Sequence, residues 1–217
     1  MAQPLLSLET IEPSPQVVAL VGSYRKGGII DSLVDDILSV VVENGFAVRK
    51  IYLNEVQIEF CRNCRRCTQC PGTTRGVCDL EDEMADLLEV LDRADGLILA
   101  SPVNFFTVTA LTKRFVERLV CGAYWPWGKM APALRMTHPQ RPALLVSSCA
   151  MPALLARLVT NVLRVLKSSA AALGARPVGS LIVGLVARSE HQPLSGRTRR
   201  KAKRMGKKLI TALNSGS

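Results

Sequence analysis

Five cysteines crowd into residues 61–78, and their thiolates can bind a metal centre. Cys-x2-Cys spacings let a short loop wrap several thiolates around one centre. Disulfide bonds are the other use of such a set, but no export signal is recognisable, and disulfides belong mainly to secreted proteins. The sequence therefore predicts a metal site in a reducing, cytoplasmic setting. Its candidate ligands are Cys61, Cys64, Cys67, Cys70 and Cys78.

The compact arrangement of these cysteines indicates the kind of metal centre. Three successive Cys-x2-Cys spacings lead into the pair Cys70-Pro71, which favours an iron-sulfur cluster. Zinc is the alternative, although its cysteine pairs usually come as two separated knuckles, and free or redox-active thiols are a third interpretation. Arg62, Arg65 and Arg66 lie among the cysteines, and their charge would offset that of a tetrathiolate cluster and favour its reduced state.

A glycine-rich loop, residues 22–28, is the second segment with suitable residue types. Its backbone N–H groups, glycines, hydroxyl and two cations precede a helical pattern, and this combination suits a phosphate group. The loop lacks the Gly-Lys-Ser/Thr ending of a nucleoside-triphosphate loop and favours a phosphomonoester such as that of FMN. A purely structural turn is the alternative. The candidate contacts are Ser23, Arg25, Lys26, Gly28 and Ser32.

A third segment, residues 101–110, combines two aromatic residues with small hydroxyl-bearing residues after an apolar run. Such a loop offers a flat apolar wall and backbone donors to a planar isoalloxazine ring. The alternative is a helix capped at Thr107 or Thr109, with the aromatic residues in the core behind it. Residues 147–151 give a weaker signal of the same kind. The candidate contacts are Ser101, Pro102, Val103, Asn104, Phe105, Phe106 and Ser148.

The segments between these loops alternate between two patterns of apolar residues, one typical of strands and one typical of helices. Short apolar or alternating runs predict strands at residues 17–21, 46–53, 96–100, 143–147 and 178–184. Apolar residues at helical spacing predict helices at residues 29–44, 80–93, 109–120, 152–173 and 195–213. Because parallel strands need long crossovers, this alternation predicts a doubly wound α/β fold with helices on both faces of a parallel sheet. Ligands bind beyond the carboxyl ends of such strands, where the loops after strands one, three and four lie.

The 217 residues fit one such domain. We interpret the chain as a loose N-terminal arm (1–16), a main domain (17–194) with a cysteine-rich insertion (54–79), and a basic C-terminal helix (195–217). No run of about 18 apolar residues occurs, so no membrane-spanning helix is expected. The net charge of +10 is concentrated in the C-terminal helix. That helix is interpreted as a solvated face, a docking surface for an acidic protein or a nucleic-acid patch.

Together the three segments resemble those of the iron-sulfur flavoproteins, within the NADPH-dependent FMN reductase-like group of flavodoxin-fold proteins, over about residues 17–185. The matching motifs are the phosphate loop 22–26, the flavin-ring loop 101–106 with Lys113 and Arg118 in the next helix, and the cluster motif Cys61-x2-Cys64-x2-Cys67 with Gly76-Val77-Cys78 and the acidic run 79–84. The resemblance implies a flavodoxin-like five-stranded sheet of order 2-1-3-4-5 that binds FMN and a 4Fe-4S cluster. It also implies a homodimer or homotetramer that passes electrons between a ferredoxin-like or NAD(P)H donor and an acceptor.

The sequence departs from that family in three places. Ile29 and Ile30 stand where the family has Asn followed by Thr or Ser, so Ser23, Arg25 and backbone groups must hold the phosphate, with Ser32 as a helper. Asn104 stands where a bulky residue is common. Five cysteines are present for four ligand positions. The acidic run after Cys78 favours the set Cys61, Cys64, Cys67 and Cys78. The spacing from Cys64 through Cys70 to Cys78 is almost as suitable.

Two other functions fit part of the sequence. An NAD(P)H-dependent FMN, quinone or azo reductase with a structural zinc loop would share the fold. A basic nucleic-acid-binding module would explain the C-terminal helix, but it is disfavoured because it leaves the three ligand loops without a role. The segment Trp125-Pro126-Trp127 is interpreted as a cover for the flavin or a subunit interface, or as an ordinary packed loop. His138 and His191 are interpreted as surface residues without a role.

Overall fold

A five-stranded parallel sheet forms the centre of the protein, with the strand order β2-β1-β3-β6-β7. The computed structural model describes residues 16–72, 75–136, 141–187, 189 and 192–215. The elements are β1 (Gln16–Val21), α1 (Ile29–Glu43), β2 (Ala47–Tyr52), α2 (Met84–Arg93), β3 (Gly96–Pro102), α3 (Ala110–Arg118), β4 (Ala123–Tyr124), β5 (Ala133–Leu134), β6 (Arg141–Ser148), α4 (Ala153–Val159), α5 (Val162–Ala172), β7 (Ala175–Val183) and α6 (Gly196–Asn214). The main strands follow the expected 2-1-3-4-5 order, and the predicted flavodoxin-like fold is confirmed. The interpreted N-terminal arm, apart from Gln16, lies outside the described residues, as do both histidines.

Successive residues of the central strands point to opposite faces of the sheet, and each face is covered by helices. In β1, Val18 and Leu20 pack into a cluster with residues of α2, α3 and α5. Val17, Ala19 and Val21 pack into a second cluster with residues of α1 and α6. Strands buried on both faces read as continuous apolar runs, which is why the sequence pattern located β1 and β3.

Helices α1 and α6 approach each other closely at Gly206. A Cβ atom at that position would lie 2.9 Å from the Ile37 carbonyl oxygen and 2.9 Å from the Cβ of Val40, so a larger residue would force the helices apart. The Arg199 guanidinium also donates to the Asp36 carboxylate at 3.0 Å. The basic C-terminal helix is therefore packed against α1, and its buried side chains belong to the cluster that covers one face of the sheet.

The predicted long helix 152–173 is wrong in one respect, because it is two helices. The chain is extended at Thr160, which ends α4. The Asn161 amide donates to the Phe106 carbonyl oxygen at 3.0 Å, outside the helical ladder. A contact that is distant in sequence thus interrupts a continuous helical pattern.

Helix α2 begins at Met84, four residues after the predicted start. The preceding side chains accept from the loop after β2 instead: Glu83 from the Gln57 amide at 2.6 Å, and Asp82 from the Glu59 amide at 2.7 Å. The insertion after α3 contains the short antiparallel pair β4 and β5. Among the described residues, no helix has the length and apolar character needed to cross a membrane.

Candidate functional site

Four of the five clustered cysteines line one cavity of about 170 Å³, here called the cysteine cavity. They are Cys61, Cys64, Cys67 and Cys78. Among the described residues, Cys70 is not part of this lining, and it is exposed. This lining coincides with the first of the two ligand sets considered above, and the identity of the metal ligands stays a prediction.

The loop around the cavity turns back on itself through unusual backbone conformations. Asn63 has φ 51° and Arg65 has φ 60°, in the left-handed region that few non-glycine residues adopt. The Asn63 amide lies 3.4 Å from the Cys61 sulfur, and a short 3-10 turn follows at Arg66–Thr68. These turns direct the thiols toward a common space.

Arg135 forms hydrogen bonds with the backbone of the same loop. Its side chain is buried, and its guanidinium donates to the carbonyl oxygens of Cys67 at 3.1 Å, Cys70 at 2.9 Å and Gly72 at 3.1 Å. It also donates to the Ala123 carbonyl oxygen at 3.2 Å. Because one cation satisfies several loop carbonyls, the insertion after α3 fixes the cysteine loop. Sequence analysis did not identify Arg135, which has no distinguishing local pattern.

Arg65 lies between two tryptophan rings. Its guanidinium carbon is 3.9 Å from the Trp125 ring centre and 4.1 Å from the Trp127 ring centre. Its Nη2 also donates to the Trp125 carbonyl oxygen at 2.7 Å. The segment 125–127 therefore packs against the cysteine loop through cation–π contacts.

A buried ion pair closes another side of the cysteine cavity. Arg118 donates from Nη1 to Asp82 Oδ2 at 2.5 Å and from Nη2 to Asp82 Oδ1 at 3.1 Å. The same Nη2 lies 3.6 Å from the Cys78 sulfur. Burial opposes both charges, but the pair outweighs it, raising the pKa of Arg118 and lowering that of Asp82. Arg118 was matched to the flavin-ring helix, whereas its guanidinium faces the cysteines.

Burial, together with the neighbouring thiols, raises the pKa of Cys67 to about 11. Without a bound cation this thiol stays protonated at neutral pH, so metal binding there must release a proton. Among the described residues, no three or more His, Cys, Asp or Glu side chains converge closely enough to share a single metal ion.

A second, larger cavity of about 1,060 Å³ lies beyond the carboxyl ends of β1, β3 and β6, and is here called the strand-end cavity. Its walls come from the loop 23–30, from residues 102–104, from residues 148–150 and from the segment that joins β7 to α6. This is the place where doubly wound sheets bind ligands. Of the predicted contacts, those lining it are Ser23, Arg25, Lys26, Gly28, Ser32, Pro102, Val103, Asn104 and Ser148.

The N-terminus of α1 opens into the strand-end cavity. Gly28 precedes the helix, and no side chain in the described part of the chain caps it. The Arg25 amide donates to the Ser23 hydroxyl at 3.2 Å, which curls the loop, while Lys26 forms an ion pair with Glu55. Uncapped N–H groups and adjacent cations form an environment that stabilises an anion.

Asp31, in the first turn of α1, is a charged residue that sequence analysis missed. Its carboxylate accepts from the Gly27 amide at 2.5 Å, from Lys50 Nζ at 2.8 Å and from the Tyr52 hydroxyl at 2.7 Å. Burial opposes its ionisation, but these partners lower the pKa of Asp31. It therefore occupies one loop N–H and brings a negative charge, balanced by Lys50, close to the N-terminus of α1.

Ser101 is placed behind the strand-end cavity, in a buried hydroxyl network. Its Oγ accepts from the Thr109 amide at 3.2 Å and from the Thr112 hydroxyl at 3.1 Å. Thr109 Oγ1 donates to the Gly22 carbonyl oxygen at 2.6 Å and caps α3, as one of the alternatives expected. A Cβ atom at Gly22 would lie 1.9 Å from Thr112 Oγ1, so this packing requires glycine.

Phe105 and Phe106 form the tip of a tight turn and point toward solvent. Asn104 and Thr107 pair across the turn, with both phenylalanines at positive φ, 44° and 63°. Phe105 is 98% exposed and Phe106 is 58% exposed. Bulky residues rarely adopt this conformation, which costs about 1 to 3 kcal/mol at each position. Within this structure the two rings do not form the expected apolar wall of the strand-end cavity.

Helix α4 adds more exposed apolar surface beside this turn. The amide of Asn161, two residues after α4, is bonded to the Phe106 carbonyl oxygen. Four apolar side chains of α4 are exposed, namely Leu154, Leu155, Leu158 and Val159. A contiguous apolar surface of this kind is typical of an interaction site.

Helix α6 separates its charges from its apolar residues. Eight basic residues of α6 are exposed, namely Arg197, Arg199, Arg200, Lys201, Lys203, Arg204, Lys207 and Lys208. The opposite side is buried through Ala202, Leu209, Ile210 and Leu213. The helix is therefore part of the hydrophobic core, with a basic outer face.

Sequence comparisons give two kinds of match. Residues 15–187 match the family described as NADPH-dependent FMN reductase. The chain is 32% identical over 105 residues to an iron-sulfur flavoprotein of Archaeoglobus fulgidus, covering 48% of this chain and 46% of that protein. It is 27% identical over 105 residues to an iron-sulfur flavoprotein of Methanosarcina thermophila, covering 48% of this chain and 52% of that protein. The chain thus spans about half the length of the curated relatives it matches.

Solved structures resemble the whole fold. An FMN-dependent NADH-azoreductase from Bacillus anthracis, in complex with FMN, has a TM-score of 0.63 and 11% identity, covering 94% of this chain and 100% of that chain. An NADH:FMN oxidoreductase in its apo form has a TM-score of 0.59 and 16% identity, covering 94% of this chain and 91% of that chain. At these identities the likeness shows the fold alone.

Proposed function

Since the chain belongs to the NADPH-dependent FMN reductase family, and is thus a flavin-dependent redox protein, we propose that it binds FMN in the strand-end cavity and a 4Fe-4S cluster in the cysteine cavity. FMN exchanges one or two electrons, and an iron-sulfur cluster exchanges one at a time. The observation that carries the proposal is the lining of one cavity by four cysteines in a chain of this family.

The strand-end cavity supports the FMN part of the proposal. The uncapped start of α1, with Ser23 and Arg25, would hold the phosphate, and Lys26 lies beside it. Asn104 and Ser148, at the ends of β3 and β6, would contact the ring. These groups bind and orient the ligand and exclude water, and the chemistry requires no general acid or base from them.

The cysteine cavity supports a cluster more strongly than a single zinc ion. Its cysteines come from one compact run of Cys-x2-Cys spacings, which is typical of cluster loops, whereas structural zinc usually takes cysteine pairs from two separated knuckles. The distant relatives named iron-sulfur flavoproteins favour the same choice. Arg65, Arg66 and Arg118 line the same cavity and would offset its negative charge.

The proposed partners are an electron donor, an acceptor and further copies of this chain. The donor would be NAD(P)H, as the family suggests, or a ferredoxin-like protein, and bound FMN would supply the electron transfer to the acceptor. We also propose a homodimer or homotetramer, supported by the exposed apolar side chains of α4 and of Phe105 and Phe106. The basic face of α6 suits an acidic protein donor through charge complementarity.

The proposal is tested by purifying the full chain without oxygen and measuring flavin, iron, sulfide and zinc per chain. One FMN with about four irons and matching sulfide is the expected result. Zinc without sulfide would leave an FMN reductase with a structural zinc loop and refute the cluster. Absence of bound flavin after supplementation with FMN would refute the assignment of the strand-end cavity.

A further inference from the structure

Arg118 directs one of its N–H groups at a proposed cluster ligand while its other bonds keep it in place. Nη1 donates to the Glu59 carbonyl oxygen at 2.9 Å as well as to Asp82. Nη2 reaches both Asp82 and the Cys78 sulfur. The Arg118 side chain is only 2% exposed, so this cation has little freedom to turn away.

Asp82 fixes the orientation of that cation. Its carboxylate accepts from the Glu59 amide at 2.7 Å and from the Met84 amide at 3.1 Å, in addition to both Arg118 nitrogens. The carboxylate is 5% exposed, and it accepts from the same Nη2 that lies 3.6 Å from the Cys78 sulfur. The ion pair is therefore neutral overall, and the group that it presents to the sulfur is a guanidinium N–H.

We infer that Arg118 is a positioning residue that orients Cys78 toward the cysteine cavity and raises the reduction potential of the cluster bound there, with Asp82 limiting the size of that effect. This inference rests on the proposed cluster. Reduction adds an electron to an anionic cluster, and hydrogen bonds and positive charge at a ligand sulfur stabilise the reduced state. Low local polarity strengthens the effect relative to that of an exposed arginine.

Arg66 illustrates the contrast within the same cavity. It lines the cavity too, but its side chain is 74% exposed and pairs with Asp79. Water screens such a charge, so we expect Arg66 to contribute much less to the potential. Two arginines that line one cavity are thus expected to differ in their effect on the potential, because one is buried and the other is exposed.

The test is a redox titration of the anaerobically purified, cluster-loaded full chain, followed by absorbance and electron paramagnetic resonance. We expect R118M to lower the midpoint potential by about 59 mV, a tenfold change in a one-electron equilibrium constant. D82N should raise it, because the amide removes a negative charge while still accepting a backbone N–H. Shifts of the midpoint potential in opposite directions would show that charge causes them. A merely structural role would lower the stability of both variants without changing the potential.

Two further variants keep the test decisive. E83Q is the matched control, because Glu83 also accepts a loop amide, from Gln57, but has no bond to Arg118, and its potential should match the wild type. If R118M does not fold, the double variant R118M/D82N avoids an unpaired buried carboxylate and should still lower the potential. Unchanged potentials in cluster-loaded variants would overturn the inference alone, whereas a wild-type chain without iron and sulfide would overturn it together with the proposed cluster.

Discussion

The Arg65 guanidinium stacks on the Trp125 ring at 3.9 Å and donates to the carbonyl oxygen of the same residue. These residues belong to two insertions that are far apart in sequence, one after β2 and one after α3. Together with Arg135, this contact makes the second insertion the support of the cysteine loop. The second insertion is therefore as important to the proposed metal centre as the cysteines themselves.

We expect Trp125→Leu to reduce the cluster content and lower the free energy of unfolding by about 1 to 2 kcal/mol, because a partly buried cation–π contact is lost. Iron per chain and urea denaturation measure these effects. Trp125→Phe keeps an aromatic face and should restore most of the iron content. If Trp125→Leu retained full iron content, the supporting role of this ring would be disproved.

The cysteine cavity predicts which thiols are needed for the cluster. Serine at Cys61, Cys64, Cys67 or Cys78 should each reduce cluster content severely, whereas Cys70→Ser should retain iron and sulfide near wild-type levels, because Cys70 lies outside the described lining. Iron and sulfide analysis of the anaerobically purified variants distinguishes these outcomes. Loss of the cluster in Cys70→Ser with retention in Cys61→Ser would favour the alternative ligand set.

Arg25 is expected to carry much of the affinity for the FMN phosphate, because the two isoleucines at the start of α1 offer it no side-chain donors. A hydrogen bond to a charged group contributes about 1.5 to 3 kcal/mol, so Arg25→Gln should weaken FMN binding by about tenfold or more. Fluorescence titration of the flavin measures the dissociation constant. Arg164→Gln, an exposed change of the same charge on α5, is the matched control and should leave it unchanged.

Asp31 predicts a pH dependence of stability. Its pKa is lowered from 3.8 by Lys50, Gly27 and Tyr52 despite the opposing effect of burial. A lowered folded-state pKa means that the ionised carboxylate stabilises the protein above the unfolded value, and that this contribution is lost as the pH falls through the folded value. The stability gap between wild type and Asp31→Asn should therefore be widest near neutral pH and shrink below about pH 4, as measured by urea denaturation at each pH. A gap independent of pH would contradict this.

Helix α6 is predicted to be essential for stability through its buried side. Leu209 is fully buried, and Leu209→Ala should cost about 2 to 5 kcal/mol in the free energy of unfolding. Lys203→Gln and Lys207→Gln change only exposed positions and should each stay within about 0.5 kcal/mol of the wild type. Removing residues 197–217 would expose the core, so charge-neutralising variants are the appropriate test of nucleic-acid or acidic-protein binding by this helix.

The sheet and most loop positions were predictable because their signals are local. Continuous apolar runs identified the buried strands, and strand ends identified the loops that line the strand-end cavity. The break between α4 and α5 was not predictable, because it depends on the carbonyl oxygen of Phe106, which is distant in sequence. A helical pattern of apolar residues indicates which residues face the core, but it does not indicate which backbone amides form hydrogen bonds with other segments.

The sequence shows the candidate ligands of the site but not their supports. Cysteine spacing predicts a metal centre, which stays a prediction, whereas neither the pairing of Arg118 with Asp82 nor the bonds from Arg135 to the cysteine loop follow from any spacing. Ser101 had the right residue type and position, but its hydroxyl is used within the core. The residue type at a strand end therefore does not show whether a serine contacts a ligand or forms hydrogen bonds within the core.

The close packing of α6 on α1 at Gly206 has a consequence for biosynthesis. Strand β1 lies inside the sheet and is made first, while the helix that covers one of its faces is made last among the described elements. A nascent chain can form local helices such as α1 early, but the part of this face that α6 covers stays exposed until α6 has left the ribosome. Apolar surface that is exposed in this way makes a nascent chain prone to aggregation.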